Sequence, residues 1–147
     1  MYRLYIEKNT SSKKLLKKIL AENKINDDII YNEYGKPYFK NDEIFFSISH
    51  SYDYVVCVIS DKEVGVDIQK ITYRPRIIKR ICSSEEQNRI NSPEDFTEMW
   101  TKKESYAKFL GLGISYGLKK INTLLNDYTV IKLEDYYITI CFGERRK

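Results

Sequence analysis

The chain has few of the residues that build metal clusters or disulfide scaffolds. It contains one histidine, one tryptophan, three prolines, six glycines and three cysteines in 147 residues. A lone histidine, His50, excludes a multi-histidine metal site. The cysteines, Cys57, Cys82 and Cys141, are odd in number and not closely paired, which argues against a disulfide framework. Cys57 and Cys141 sit in apolar, strand-like runs and read as small core hydrophobes. No run approaches the length of a membrane span. The opening residues MYRLYIEKNT lack the apolar stretch of a signal peptide. A soluble, cytoplasmic protein without a membrane partner is therefore expected. The charge excess is only +4. That is too weak for a nucleic-acid partner, and no aromatic-basic stripe supports one. It suits a polyphosphate ligand or an acidic protein equally well.

Tyrosine, by contrast, is plentiful, with 13 residues. Its apolar body and polar tip suit lobe or partner interfaces. Hydrophobic residues make up 42% and charged residues 31%. That is an ordinary globular balance, enough for one compact unit or two small lobes sharing a core.

A weak internal duplication organises the chain. Tyr2, Leu4 and Ile6 alternate with Arg3, Tyr5 and Glu7, as in a half-buried strand. Ser11 or Ser12 can cap a helix whose stripe is Leu15, Leu16, Ile19 and Leu20. Hairpin strands follow around IFFSIS and YVVCVIS. The second half restarts with the strand EVGVDIQKI. Ser83 with Glu86 forms a capping box. Ser92 and Pro93 start a helix that runs to Leu110 and stops at Gly111. Strands around YTVIKLE and YYITICF close the chain. Each half thus reads as strand, helical part, hairpin. The order predicts an α+β fold of two similar lobes, residues 1–62 and 63–147, packed together with a site between them.

Four segments could carry chemistry. In VGVDIQK, Val64, Val66 and Ile68 face one way and Gly65, Asp67 and Gln69 the other. Gly65 would let a ligand approach closely. By itself the segment is equally an edge strand with a solvated face. In WTKKESYAKFLGLG, Trp100, Glu104 and Lys108 share one helix face, beside the apolar stripe of Phe96, Met99, Ala107 and Leu110. A carboxylate there can ligate a hard cation and a lysine one turn on can meet a phosphate. The same pair is also an ordinary surface Glu–Lys pair. In FSISHS, Ser49 and Ser51 flank His50, a plausible phosphate edge or simply a strand end. In YGKPYF, Gly35 and Pro37 mark a tight turn from which Lys36 would project.

Taken in this order, YGKPYF, FSISHS, VGVDIQK, ICSSEE and WTKKESYAKFLGLG resemble the Sfp-type phosphopantetheinyl transferases, over residues 34–113. The resemblance implies a pseudo-dimer of α+β lobes with coenzyme A between them. It implies transfer of the 4′-phosphopantetheine arm of coenzyme A to a serine of an acyl, polyketide or peptidyl carrier protein, with release of 3′,5′-ADP. Asp67 and Glu104 match the family's Mg²⁺ carboxylates, and Gln69 stands where many members carry a third acid. Lys108 matches the lysine beside the scissile pyrophosphate, and Glu104 also the general base. Ser49 and His50 match residues that contact the coenzyme A phosphates, with His50 counted among the catalytic set. Lys36 and Pro37 match the turn at the adenosine end. The carrier serine attacks directly, so no enzyme nucleophile is implied.

Two departures stand out. Gln69 would ligate without charge. The region before Ser11 lacks an arginine-bearing helix that grips the 3′-phosphate, so weaker coenzyme A binding is expected unless Lys13, Lys14, Lys17 or Lys18 substitute. Arg74, Arg76, Lys79 and Arg80, interleaved with Ile77, Ile78 and Ile81, read as a carrier dock or as a solvated amphipathic helix. A monomer is expected, since one chain supplies both lobes. The rivals to transfer are an inactive homologue that only binds coenzyme A or a carrier, and a basic interaction module.

Overall fold

A computed structural model describes residues 2–41, 43–113, 117–124 and 127–143. The opening alternation forms strand β1 (Tyr2–Lys8). Its faces do not divide into dry and wet. Tyr2 and Ile6 are exposed, while Leu4 packs on one core and Tyr5 on another. The cause is position, because β1 lies at the edge of its sheet with a packing layer on each side. Helix α1 (Ser12–Glu22) is capped by Ser11, whose hydroxyl accepts from the Lys14 backbone N–H at 3.1 Å. Its Leu15 and Ile19 are buried against Phe39, Phe46, Val55 and Cys57.

The turn at Gly35 belongs to a short hairpin, β2 (Ile29–Tyr31) and β3 (Pro37–Phe39). Strands β4 (Phe45–Ser51) and β5 (Tyr54–Ser60) form the next hairpin, closed by Tyr52 and Asp53. Then comes β6 (Glu63–Lys70). The reading of this segment as an edge strand with a solvated face does not hold over residues 63–68, where both faces are covered. Val64, Val66 and Ile68 are fully buried with Val56, Val58, Ile138 and Ile140. Each such aliphatic side chain contributes about 1.5–3 kcal/mol of apolar transfer.

Helices α2 (Pro75–Ile81), α3 (Ser84–Gln87) and α4 (Pro93–Leu110) follow. All three sequence signals hold: the Ser83–Glu86 capping box, the Ser92 cap and the Gly111 stop, whose φ of 69° suits glycine. Strands β7 (Thr129–Leu133) and β8 (Tyr136–Gly143) complete an α+β fold with antiparallel sheets.

The sheets are ordered β1–β5–β4, β2–β3 and β6–β8–β7. The two three-stranded sheets meet where β4 runs beside β6. Across that junction Tyr54 and Tyr136 stack edge-on with centroids 4.8 Å apart. Helix α4 lies over β6 and β8. At Gly65 the helix backbone almost touches the strand, and a Cβ there would lie 2.0 Å from the Ser105 carbonyl oxygen. The close approach expected at Gly65 is thus made by α4 and not by a ligand. It sets the depth at which Asp67, two residues on, lies beneath the helix.

Candidate active site

Alternation along β6 and the helical repeat of α4 bring three predicted residues together. Asp67 projects from β6 and is only 2% exposed. Glu104 and Lys108, one turn apart on α4, reach the same place half-buried. Lys108 Nζ lies 3.4 Å from Asp67 Oδ1 and donates to the Ile48 carbonyl at 3.3 Å. Both bonds are long, and the Lys108 side chain stays 34% exposed.

The carboxylates are electrostatically uncomfortable. Burial pushes the Asp67 carboxyl up, against the pull of Lys108 and of hydrogen bonds from Gln69 and Ser49. Burial also raises Glu104, and the Asp67 charge raises it further, with Lys108 opposing. Among the described residues, none donates a hydrogen bond to the Glu104 carboxylate. One lysine does not offset a buried and a half-buried carboxylate. A divalent cation would, so the donor set fits a hard metal ion. Gln69 completes the group, donating from Nε2 to Asp67 Oδ2 at 3.1 Å. Its oxygen would face a metal only after the amide turned over. Among the described residues, no three His, Cys, Asp or Glu side chains cluster. A two-carboxylate site suits Mg²⁺, which keeps several waters and needs few protein ligands.

A cleft of about 320 Å³ opens beside this cluster. Its walls come from the turn of Tyr34, Gly35, Lys36 and Pro37, from Phe46, Ser47 and Ile48 on β4, from Glu104 and Lys108, and from Gly111, Gly113 and Leu118 beyond α4.

The other predicted residues are placed differently. Lys36 does not project from its turn. Its ammonium points inward, 2.6 Å from Glu63 Oε1 and 3.3 Å from the carbonyls of Val64 and Phe109. It ties the turn to β6 and to the end of α4, because a buried cation needs acceptors on several sides. Ser49 is buried and aims at Asp67, donating to Oδ1 at 3.1 Å. His50 falls on the opposite face of β4, exposed and outside the cleft wall.

Sequence reasoning missed the group behind α4. Lys103 is 0% exposed and donates to Glu86 Oε1 at 2.9 Å, the Leu118 carbonyl at 3.0 Å and the Ile121 carbonyl at 2.6 Å. Leu118 also lines the cleft, so Lys103 holds part of the wall from behind. The one available signal was Glu86 itself, already marked by its capping box.

Comparison with known sequences now bears on the site. The sequence profile described as the 4′-phosphopantetheinyl transferase superfamily matches residues 63–145. The chain belongs to this superfamily. The matched segment of this phosphopantetheinyl transferase homologue contains β6 and α4, and with them Asp67, Gln69, Glu104 and Lys108. Lys36, Ser49 and His50 precede it. The chain is 39% identical over 111 residues to the 4′-phosphopantetheinyl transferase gsp of Aneurinibacillus migulanus, covering 68% of this chain and 46% of that protein. It is 34% identical over 112 residues to a 4′-phosphopantetheinyl transferase of Bacillus subtilis, covering 69% and 49%. The 4′-phosphopantetheinyl transferase Sfp of Bacillus subtilis strain 168 is 30% identical over 112 residues, with 69% and 49% covered. The chain spans about half the length of these curated relatives over the matched region.

Proposed function

We propose that this chain transfers the 4′-phosphopantetheine moiety of coenzyme A to a serine of an acyl, polyketide or peptidyl carrier protein, with Mg²⁺, releasing 3′,5′-ADP. The observation that carries the reading is the convergence of Asp67, Glu104 and Lys108 at the edge of a cleft, within the segment shared with the superfamily. The turn of Lys36 and Pro37 lines the cleft and suits the nucleotide end of coenzyme A, though Lys36 would have to leave Glu63 to meet a phosphate. His50 and Ser49 are the expected phosphate contacts on β4. Ser49 would have to leave Asp67 to serve as one, and His50 would act from the outer face.

The chemistry divides among few groups. Asp67 and Glu104 would hold the metal, with the Gln69 amide oxygen as a neutral third ligand. A bound Mg²⁺ supplies positive charge against the pyrophosphate and its leaving group. Glu104 accepts the proton of the carrier serine hydroxyl, helped by the burial that makes its carboxylate more basic. The serine oxygen bonds to the β-phosphorus of coenzyme A. The bond from that phosphorus to the bridging oxygen breaks, and its electron pair departs with 3′,5′-ADP. Lys108 meets the charge that develops there.

Architecture supports the same reading. Residues 1–62 and 63–147 would be two lobes of a pseudo-dimer. In each, the opening strand pairs antiparallel with the last strand of the hairpin, β1 with β5 and β6 with β8. One chain then supplies both walls of the cleft, and a monomer suffices. Exposed Arg76, Lys79 and Arg80 on α2 would receive an acidic carrier.

Intact mass spectrometry tests the reaction. An apo carrier incubated with the chain, coenzyme A and Mg²⁺ should gain one phosphopantetheine, and should gain none with a chelator or with Glu104→Ala. Absence of the gain across all three carrier classes, despite measured coenzyme A binding, would establish an inactive binder instead.

A further inference from the structure

Three serines on β4 make the same unusual contact. Ser47 Oγ accepts from the Val66 N–H at 3.0 Å, Ser49 Oγ from Ile68 at 3.2 Å and Ser51 Oγ from Lys70 at 3.1 Å. The offset is 19 residues each time, so β4 and β6 run side by side in the same direction. Hydroxyls take the place that a neighbouring strand's carbonyls would fill. They satisfy buried N–H donors that would otherwise be costly to leave unpaired.

Only the middle serine does more. A hydroxyl that accepts one bond still has one proton to donate. Ser49 gives that proton to Asp67 Oδ1 at 3.1 Å, on a carboxylate already touched by Gln69 at Oδ2 and by Lys108. Its hydroxyl is therefore pinned at one end to the β6 backbone and at the other to the carboxylate beside it.

We propose that Ser49 is a positioning residue that holds the Asp67 carboxylate in place for a divalent cation, while Ser47 and Ser51 bond to β6 through its backbone and not to Asp67. The inference rests on the two-carboxylate site proposed above. Outer partners of ligating groups typically govern metal affinity by about 10–100-fold. Ser49→Ala should thus weaken the cation by about tenfold or more. Ser51→Ala, which loses the same type of backbone bond, should lower thermal stability comparably and leave the cation's affinity within about twofold of the native value.

The probe is Mn²⁺ alone, titrated against the full chain and followed by electron paramagnetic resonance of the free ion, with Mg²⁺ as competitor. Glu104→Gln is included in the series. The proposal holds if native and Ser51→Ala chains bind alike, Ser49→Ala binds at least tenfold more weakly, and Glu104→Gln loses the site. Equal affinity for Ser49→Ala and Ser51→Ala, with Glu104→Gln still impaired, overturns the role of Ser49 and leaves the metal site standing. A native chain no different from Glu104→Gln overturns both. If Ser49→Ala does not fold, Ser49→Cys keeps nearly the same volume with a much weaker donor. It should weaken the ion in the same direction, and unchanged affinity in that variant would also overturn the proposal.

Discussion

Lys103 and Glu104 are neighbours on α4, roughly 100° apart around the helix, yet they meet opposite electrostatic situations. Behind the helix, Lys103 and Glu86 match each other's charge. Burial alone would raise Glu86, but the Thr123 hydroxyl, the Ser83 and Thr123 backbone N–H groups and Lys103 outweigh it and hold its carboxyl at about 2. In front, burial raises both Asp67 and Glu104, and among the described residues Lys108 is the cation that opposes it. The first group is closed and stabilises the fold. The second holds two carboxylates that the described residues do not balance, which the proposed cation would offset. One helix thus carries a closed structural pair on one face and the proposed site on another.

Four changes should break or sharpen that contrast. The largest effect is expected in front. Glu104→Gln should lower carrier modification by about 10²–10⁴-fold, read as the initial rate of phosphopantetheine gain, while leaving the fold intact. Behind the helix the reverse should hold. Lys103→Met strands the Glu86 carboxylate and should cost about 3–5 kcal/mol of folding stability, measured by urea unfolding.

Acid should next distinguish the two sides. Glu86 has a folded pKa of about 2 against an ordinary value of 4.5. Its contribution is fully present above pH 4.5 and fades as pH falls toward 2. That contribution is roughly 3 kcal/mol. Glu86→Gln should therefore flatten the acid limb of a stability–pH profile. The smallest effect is shared. Ser92→Ala removes the N-cap of α4 and should cost about 1 kcal/mol of stability, read by urea unfolding, without favouring either side.

What the sequence made legible was local. Caps at Ser11, Ser83 and Ser92 and the Gly111 stop are written in neighbouring residues. The alternation of β6 and the four-residue step of α4 placed Asp67 with Gln69, and Glu104 with Lys108. The rest depends on which element lies opposite. A lysine in a turn looks solvated, and nothing near Lys36 announces Glu63 or the Phe109 carbonyl. Nothing beside Lys103 in the sequence announces that α3 and the segment after α4 close around it. The serines of FSISHS suggested a phosphate edge, because the 19-residue offset to β6 appears only once the two sheets meet.

Thermal melting of the native chain and Glu104→Gln, with and without Mg²⁺, tests the central claim most directly. A carboxyl raised in the fold holds its proton more tightly there, so its ionisation at neutral pH weakens the folded state. Without Mg²⁺, Glu104→Gln should therefore melt higher than the native chain. Adding Mg²⁺ should raise the native melting temperature and leave the variant nearly unchanged. A variant that melts lower than native without the ion, or that gains as much from Mg²⁺, would contradict the account.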